Sequence, residues 1–299
     1  MYVRSADLSV NVSAGIFGPK ELEDEAIEAC LAPLRDVKLA NLTENFAAVL
    51  GGRPPDFMDD WSVQVRNFAR IAKAARKAGF RGIYFDNEAY YKPWGDYPRG
   101  VRLKDVPLAD YQQQARKRGR EVMEAMVAEF PDLVLIVLHG PYLSEARAPS
   151  PLFPQWQDRN ELVGPFFAGL VEGSGERSTV VDGGQIYHLR TDREFRESFA
   201  WRKSAFPSTD VDCSFLPVDL RAKWASRVKH GFGVYDRPFR GRPMNPEVLG
   251  STIAHALRRS DSYVWLYIEG PTFLKSATDG GAPPEWIDAV RSARKSITP

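Results

Sequence analysis

The strongest constraint on the fold is a regular alternation of apolar, strand-like segments with amphipathic, helix-like segments. Seven strand-like segments recur along the chain, at residues 8–15, 37–46, 82–88, 133–140, 178–188, 231–236 and 263–270. Strands that are separated by helices predict right-handed βαβ units and a parallel sheet. A recurrence every roughly 30 to 50 residues is typical of a (β/α)8 barrel, whereas a doubly wound sheet usually carries a glycine-rich phosphate turn after its first strand.

Helix boundaries are marked by residues that cap or stop helices. The expected helices lie at residues 61–78, 111–130, 161–173, 191–203, 245–260 and 283–297. Gly79 and Pro131 follow the first two and are typical helix stops. Thr191 and Glu194 have the spacing of a capping box, and Asn245 precedes a proline at the first helical position. The α/β class is therefore the prediction.

The chain shows no sign of a domain boundary. Residues 206–222 have no clear periodicity and predict an inserted loop, but no linker, repeat or low-complexity segment is present. We therefore expect a single (β/α) barrel domain over residues 1–299. The chain enters its first strand almost at once, which favours an eighth strand lying upstream and missing here; the alternative is a cryptic strand.

The composition excludes several classes of function. A formal net charge of +1 gives no electrostatic basis for binding nucleic acid or an anionic membrane. Two cysteines, Cys30 and Cys213, allow one bridge but no disulfide framework. Neither a signal peptide nor a membrane span is expected. We expect a soluble protein, cytoplasmic or exported with its leader removed; the oligomeric state stays open.

Side-chain alternation predicts which residues point into the barrel. Ile83 and Phe85 share one face of their strand, and the outer face of a barrel strand needs apolar groups to pack on helices. The opposite face is then the inner one. In three strands that face is polar or aromatic, and it includes Asn11, Tyr84, Asp86, Glu88, Trp265, Tyr267 and Glu269. Polar groups near the C-terminal ends of barrel strands are typical of active sites.

This set of residues suits glycoside hydrolysis, which needs two carboxyl roles. Glu88 is the expected general acid, and the neighbouring Asp86 carboxylate favours its protonated form. Glu269 or Asp86 is the expected nucleophile or base. Aromatic rings, amides and hydroxyls supply sugar contacts, and the expected substrate-binding residues are Asn11, Tyr90, His139, Gln185, Tyr187, Asp236, Trp265 and Tyr267. No cofactor is expected, and the expected partner is a carbohydrate.

The segment "GIYFDNEAY" resembles the strand-four signature of TIM-barrel glycoside hydrolases. Asn87 and Glu88 resemble the Asn-Glu acid/base pair of the large retaining clan. Asp86 and Glu88 equally resemble the last two acids of the chitinase-type motif, whose first acid is replaced here by Tyr84. In the retaining clan the nucleophile lies on strand seven, and the corresponding segment of this chain ends in Asp236.

Nearly the whole chain is similar to a group of uncharacterised bacterial glycosidase-like barrel proteins. The segments "FDNE", "VVDGG", "GFGVYD" and "YVWLYIE" occur in the same order. The resemblance implies that one more strand precedes residues 8–15. Residues 82–88 would then form strand four and residues 263–270 strand eight.

Two other functions fit the same residues. A divalent-metal-dependent barrel isomerase or hydrolase would use Asp86, Glu88, His139 and Asp182, because carboxylates with one imidazole suit Mg²⁺ or Mn²⁺. Against it, the sequence has neither a His-x-His nor a His-x-x-x-Glu pair. A non-catalytic carbohydrate-binding barrel would keep the aromatic residues without the chemistry.

Overall fold

The fold was analysed in a computed structural model that describes residues 15–36, 44–88, 94–144, 160–205, 216–237, 242–269, 271, 273 and 275–297. The strands are β1 (Phe46–Leu50), β2 (Gly82–Asp86), β3 (Val134–Val137), β4 (Thr179–Asp182), β5 (Val228–His230), β6 (Phe232–Tyr235) and β7 (Val264–Tyr267). The α-helices are α1 (Asp24–Arg35), α2 (Ser62–Lys77), α3 (Leu108–Glu129), α4 (Val163–Gly173), α5 (Asp192–Ala205), α6 (Arg221–Arg227), α7 (Pro246–Arg259) and α8 (Pro284–Lys295). Three 3₁₀ turns lie at Pro141–Ser144, Val218–Leu220 and Ala277–Asp279.

The chain divides into two compact units. The first unit comprises Met1–Asp182 and Phe206–Val228, and the second comprises Gly183–Ala205 and Lys229–Pro299. The boundary crosses β5, since Val228 belongs to the first unit. Each unit is described by itself, and the single-domain organisation stays a prediction.

In the first unit, β1, β2, β3 and β4 form a parallel sheet in that order. Leu50 is in register with Asp86, and Val137 is in register with both Phe85 and Asp182. The C-terminal ends of these strands therefore meet at one edge of the sheet. The residues that follow each strand, including Glu88 and His139, lie at that edge.

Aromatic packing fixes the faces of this sheet. Phe85 of β2 packs edge to face on Phe68 of α2, with ring centroids 5.6 Å apart. Phe85 thus points towards a helix, and alternation places Tyr84 and Asp86 on the opposite face. This confirms the expected sidedness of β2.

Close backbone approach holds α3 against α4. A Cβ atom at Gly119 would lie 2.1 Å from the carbonyl oxygen of Phe166, and one at Gly169 would lie 1.9 Å from that of Arg116. Only glycine fits at either position. The two helix backbones can therefore cross at this short distance.

In the second unit, β6 and β7 form a parallel pair, with Tyr235 opposite Tyr267 and Gly233 opposite Trp265. Phe232 packs edge to face on Phe195 of α5 at 4.9 Å. The buried guanidinium of Arg202 lies 4.5 Å from the centre of the Phe232 ring and donates to the carbonyl of Gly231 at 2.8 Å. The face of β6 that carries Phe232 therefore points towards α5.

Most of the expected elements are confirmed, and so is a mixed α/β architecture with parallel strands. The Thr191–Glu194 capping box forms, because Glu194 accepts the Thr191 N–H at 2.8 Å and donates its own N–H to the Thr191 hydroxyl at 3.3 Å. The Asn245 side chain accepts the Val248 N–H at 2.8 Å, as an N-cap should. Gly79 follows α2 with a φ of 73°. The closed (β/α)8 barrel stays a prediction.

Residues 37–43 of the strand expected at 37–46 lie outside the described residues; in the described part, a strand runs over Phe46–Leu50, whose uninterrupted apolar pattern is that of a strand buried on both faces. Two other expectations about strands and loops are wrong in detail. The strand expected at 178–188 ends at Asp182, so Gln185 and Tyr187 follow the strand rather than lie in it. Helix α6 begins at Arg221, inside the expected loop, and β5 is too short to show a period.

Residues 1–14, and with them the expected strand at 8–15 except for Gly15, lie outside the described residues. In the part of the chain that the structure describes, no helix combines the length and apolar character needed to cross a membrane.

Candidate functional site

Polar side chains gather where β2 and β3 end in the first unit. We name Asp86, Asn87, Glu88, His139 and Tyr142 the first carboxylate cluster. Asp86 is the last residue of β2, and His139 comes two residues after β3. Tyr142 lies in the 3₁₀ turn that follows. The parallel register places these side chains together at one sheet edge.

The Asn87 side chain joins the ends of β2 and β3. Its Nδ2 donates to the carbonyl oxygen of His139 at 3.0 Å, and its Oδ1 accepts the His139 N–H at 2.8 Å. Both residues are buried. A side-chain amide thus takes the place of a backbone peptide and continues the strand ladder for one step.

Glu88 lies against the His139 ring. Its Oε1 is 3.3 Å from Nε2 of His139, and Nδ1 of the same ring is 3.2 Å from the Tyr142 hydroxyl. The Glu88 side chain is 19% exposed, whereas that of His139 is 6% exposed. The carboxylate is therefore reachable from solvent, and the imidazole behind it is screened.

The backbone of Glu88 is held by Asp86 and by a close neighbour. Asp86 Oδ1 accepts the Glu88 N–H at 3.1 Å. A Cβ atom at Gly51, just after β1, would lie 2.7 Å from the Glu88 carbonyl oxygen. This contact of Asp86 favours a role in positioning Glu88.

A further carboxylate, Asp182, is fully buried at the end of β4. A Cβ atom at Gly140 would lie 2.1 Å from its Oδ1, so the loop after His139 passes directly over it. Among the described residues, no three His, Cys, Asp or Glu side chains form a group that could hold a metal ion. Asp86, Glu88, His139 and Asp182 all lie within that part of the chain.

A second set of polar and aromatic side chains lies where β6 and β7 end, in the second unit. We name Tyr235, Asp236 and Glu269 the second carboxylate cluster. The Tyr235 hydroxyl donates to Glu269 Oε2 at 2.6 Å. This hydrogen bond raises the pKa of Tyr235 from 10.0 to about 12, and partial burial together with the charges of Glu269 and Asp236 acts in the same direction. Glu269 itself is exposed.

Asp236 is fully buried and binds the backbone of Glu269. Its Oδ1 accepts the Glu269 N–H at 3.1 Å, and Nε of Arg237 lies 3.4 Å from its Oδ2. Burial raises the pKa of Asp236, while the Glu269 N–H and the Arg237 guanidinium act against that rise. Complete burial favours a positioning role over direct contact with a ligand.

Four aromatic rings form a continuous row beside this cluster. The rings of Trp265 and Tyr187 are 5.7 Å apart, those of Tyr187 and Tyr235 5.0 Å, and those of Tyr235 and Tyr267 5.3 Å. The Trp265 Nε1 donates to the carbonyl of Gly183 at 2.8 Å. A Cβ atom at Gly233 would lie 2.2 Å from the indole, so the missing side chain makes room for it.

The predicted site residues separate into these two groups. Asp86, Glu88 and His139 come together in the first unit. Tyr187, Asp236, Trp265, Tyr267 and Glu269 come together in the second, where Gln185 is buried. Asn11 and Tyr90 lie outside the described residues.

Three members of the clusters were not predicted as site residues. Asn87 and Tyr142 support His139, and Tyr235 binds Glu269. Asn87 had a signal in its resemblance to the Asn of the Asn-Glu pair, and Tyr235 would have had one if the register that places it opposite Tyr267 were known. No family model, curated protein or solved structure matches this chain.

Proposed function

We propose that this chain is a glycoside hydrolase of the (β/α)8 barrel type in which Glu88 is the general acid. The observation that carries the proposal is the position of the Glu88 carboxylate. It lies at the C-terminal edge of a parallel sheet, is partly exposed, and contacts a buried imidazole at 3.3 Å. Barrel enzymes place their catalytic groups at this edge.

His139 can hydrogen-bond Glu88 in both protonation states of the carboxyl group. A neutral imidazole protonated on Nε2 donates to Glu88 Oε1 and accepts the Tyr142 hydroxyl proton at Nδ1. When solvent has returned a proton to Glu88, the imidazole carries its own proton on Nδ1, donates it to the Tyr142 oxygen, and accepts the Glu88 O–H at Nε2. A general acid must lose its proton to the leaving oxygen and regain it in each cycle. The buried imidazole supports that exchange without displacing the carboxylate.

Two carboxylates are candidates for the second catalytic role. Asp86 lies in the same cluster as Glu88, and one of its oxygens is engaged by the Glu88 N–H. Glu269 is exposed and belongs to the second unit. The variants Asp86→Asn and Glu269→Gln distinguish the two candidates. The variant that replaces the nucleophile or base should lose turnover.

The deciding experiment measures hydrolysis of an oligosaccharide panel by Glu88→Gln. The amide keeps the shape of the side chain but cannot donate an acidic proton, so kcat should fall by about 10²- to 10⁴-fold. Binding of the same sugars should persist. The matched control is Glu124→Gln on α3, whose carboxylate is 3.9 Å from Arg120 and 59% exposed; its activity should equal that of the unaltered protein.

Three results would replace the proposal. Unchanged turnover by Glu88→Gln removes Glu88 as the acid. Activity lost to EDTA and restored by Mg²⁺ or Mn²⁺ points to a metal-dependent enzyme. Saturable sugar binding without any product identifies a carbohydrate-binding protein that binds sugars on its aromatic row.

A further inference from the structure

The carboxylate of Glu269 has an unusual set of neighbours. In the part of the chain that the structure describes, it forms no ion pair; its contacts are the Tyr235 phenol and, through its backbone N–H, the buried Asp236. Asp236 has a cation of its own, since Arg237 lies 3.4 Å away. Among the described residues, the exposed end of the second carboxylate cluster therefore carries one negative charge that no cation compensates.

Aromatic rings border this charge. The rings of Tyr235 and Tyr267 pack in a tilted arrangement with their centroids 5.3 Å apart, and Tyr267 is 38% exposed at the end of β7. The faces of tyrosine and tryptophan rings attract cations because their quadrupole is negative above the ring plane. A carboxylate that adjoins such faces offers a charged hydrogen-bond acceptor as well.

The hydrogen bond from the Tyr235 hydroxyl fixes the position of the Glu269 carboxylate. It holds the Glu269 Oε2 in place, and the raised pKa of Tyr235 keeps the phenol protonated throughout the physiological range. Glu269 Oε1 makes no hydrogen bond within the described residues. Since Glu269 is exposed, a ligand can reach the acceptor capacity of the carboxylate.

We propose that Glu269, Tyr235 and Tyr267 form a binding site for a protonated amine. Charge complementarity selects this occupant: a neutral sugar uses the rings and the acceptor equally well but gains nothing from the uncompensated charge. Under the glycosidase function proposed above, on which this last step rests, the matching substrate is an amino sugar with a free amine.

The test compares the binding of three sugars of one shape to the full chain by calorimetry. Glucosamine carries a protonated amine at about pH 6, below the ordinary pKa of an α-amino group. Glucose and N-acetylglucosamine carry none. Glucosamine should bind about tenfold more tightly than either neutral sugar, and tetramethylammonium should compete with it.

Two variants locate the site. Glu269→Gln keeps the shape and removes the charge, so it should abolish the preference for glucosamine. Glu88→Gln should abolish hydrolysis and leave that preference intact, which separates failure of this proposal from failure of the proposed function. Equal affinities for the three sugars, or a preference that survives Glu269→Gln, would overturn the amine site.

Discussion

The two carboxylate clusters share one backbone design and differ in chemistry. In each, a glutamate follows the end of a parallel strand and donates its N–H to an aspartate oxygen at 3.1 Å. In each, the glutamate carboxylate contacts a ring from the neighbouring strand. Glu88 contacts an imidazole at 3.3 Å, whereas Glu269 contacts a phenol at 2.6 Å.

The identity of the ring decides what each glutamate can do. The imidazole of His139 has two ring nitrogens that can donate or accept a hydrogen bond, so the first cluster is suited to the proton transfer proposed for Glu88. The phenol of Tyr235 keeps its proton to a pH of about 12, so the second cluster presents a fixed charge. The same way of holding a glutamate can therefore support the acid role proposed for Glu88 in one place and the ligand attraction proposed for Glu269 in another.

The first cluster should be far more sensitive to the loss of its buried amide than the second cluster is to any polar change. Asn87→Ala leaves both the N–H and the carbonyl of the buried His139 without their partner. Each such group costs about 1–3 kcal/mol, so the free energy of unfolding should fall by about 2–6 kcal/mol. Denaturant unfolding monitored by circular dichroism measures this loss.

The matched control for that variant is Asn245→Ala, which removes the N-cap of α7. An exposed cap contributes about 1 kcal/mol. If Asn87→Ala destabilises the protein no more than Asn245→Ala, the side-chain bridge between β2 and β3 stabilises the protein no more than one exposed helix cap does.

The aromatic row of the second cluster should depend on the missing side chain at Gly233. Gly233→Ala places a methyl group 2.2 Å from the Trp265 ring, so the indole must move and its hydrogen bond to Gly183 is lost. Overpacking of this kind costs about 1–3 kcal/mol. Near-ultraviolet circular dichroism and thermal unfolding report the change.

The control is Gly250→Ala in α7, whose methyl group would meet Ala289 at an ordinary 3.4 Å. This variant should not destabilise the protein.

The smallest expected effect is a change in the titration of Tyr235. Absorbance of the phenolate on raising the pH should show one tyrosine with a pKa of about 12 that is absent from Tyr235→Phe. Glu269→Gln should bring this pKa back towards 10, because the charged hydrogen bond is its main cause. A pKa that does not move would place the cause elsewhere.

The raised pKa of Tyr235 also makes the stability of the protein depend on pH. The folded state holds the Tyr235 proton more tightly than the unfolded state, so the contribution to stability is complete below a pH of about 10. It is lost as the pH rises from about 10 to about 12. Tyr111, whose pKa is raised by burial in the first unit, should titrate identically in Glu269→Gln.

Much of the fold was predictable because periodicity records burial directly. Phe85 faces α2, as alternation in β2 requires, and Gly79 ends the helix before it. Residues 47–50 of β1 were not predicted as strand, because a strand buried on both faces does not alternate. The three residues of β5 are too few to show any period.

The candidate site was predictable only for residues within the strands, where side chains alternate between the two faces. Alternation placed Asp86 opposite the helix side, but it assigned Asn87 to the other face, and Asn87 lies beyond the last residue of β2. There its side chain turns along the sheet towards His139. Tyr235 was missed since its partner Glu269 lies on another strand, and strand register is set by tertiary packing.

The Asn87 bridge has a mechanical consequence. Glu88 is covalently next to Asn87, and the backbone of His139 is clamped to that same side chain at two points. The backbones of Glu88 and His139 are therefore joined through one side chain rather than through the sheet as a whole. Under the proposed function, the distance between acid and imidazole depends on this short linkage more than on the packing of distant strands.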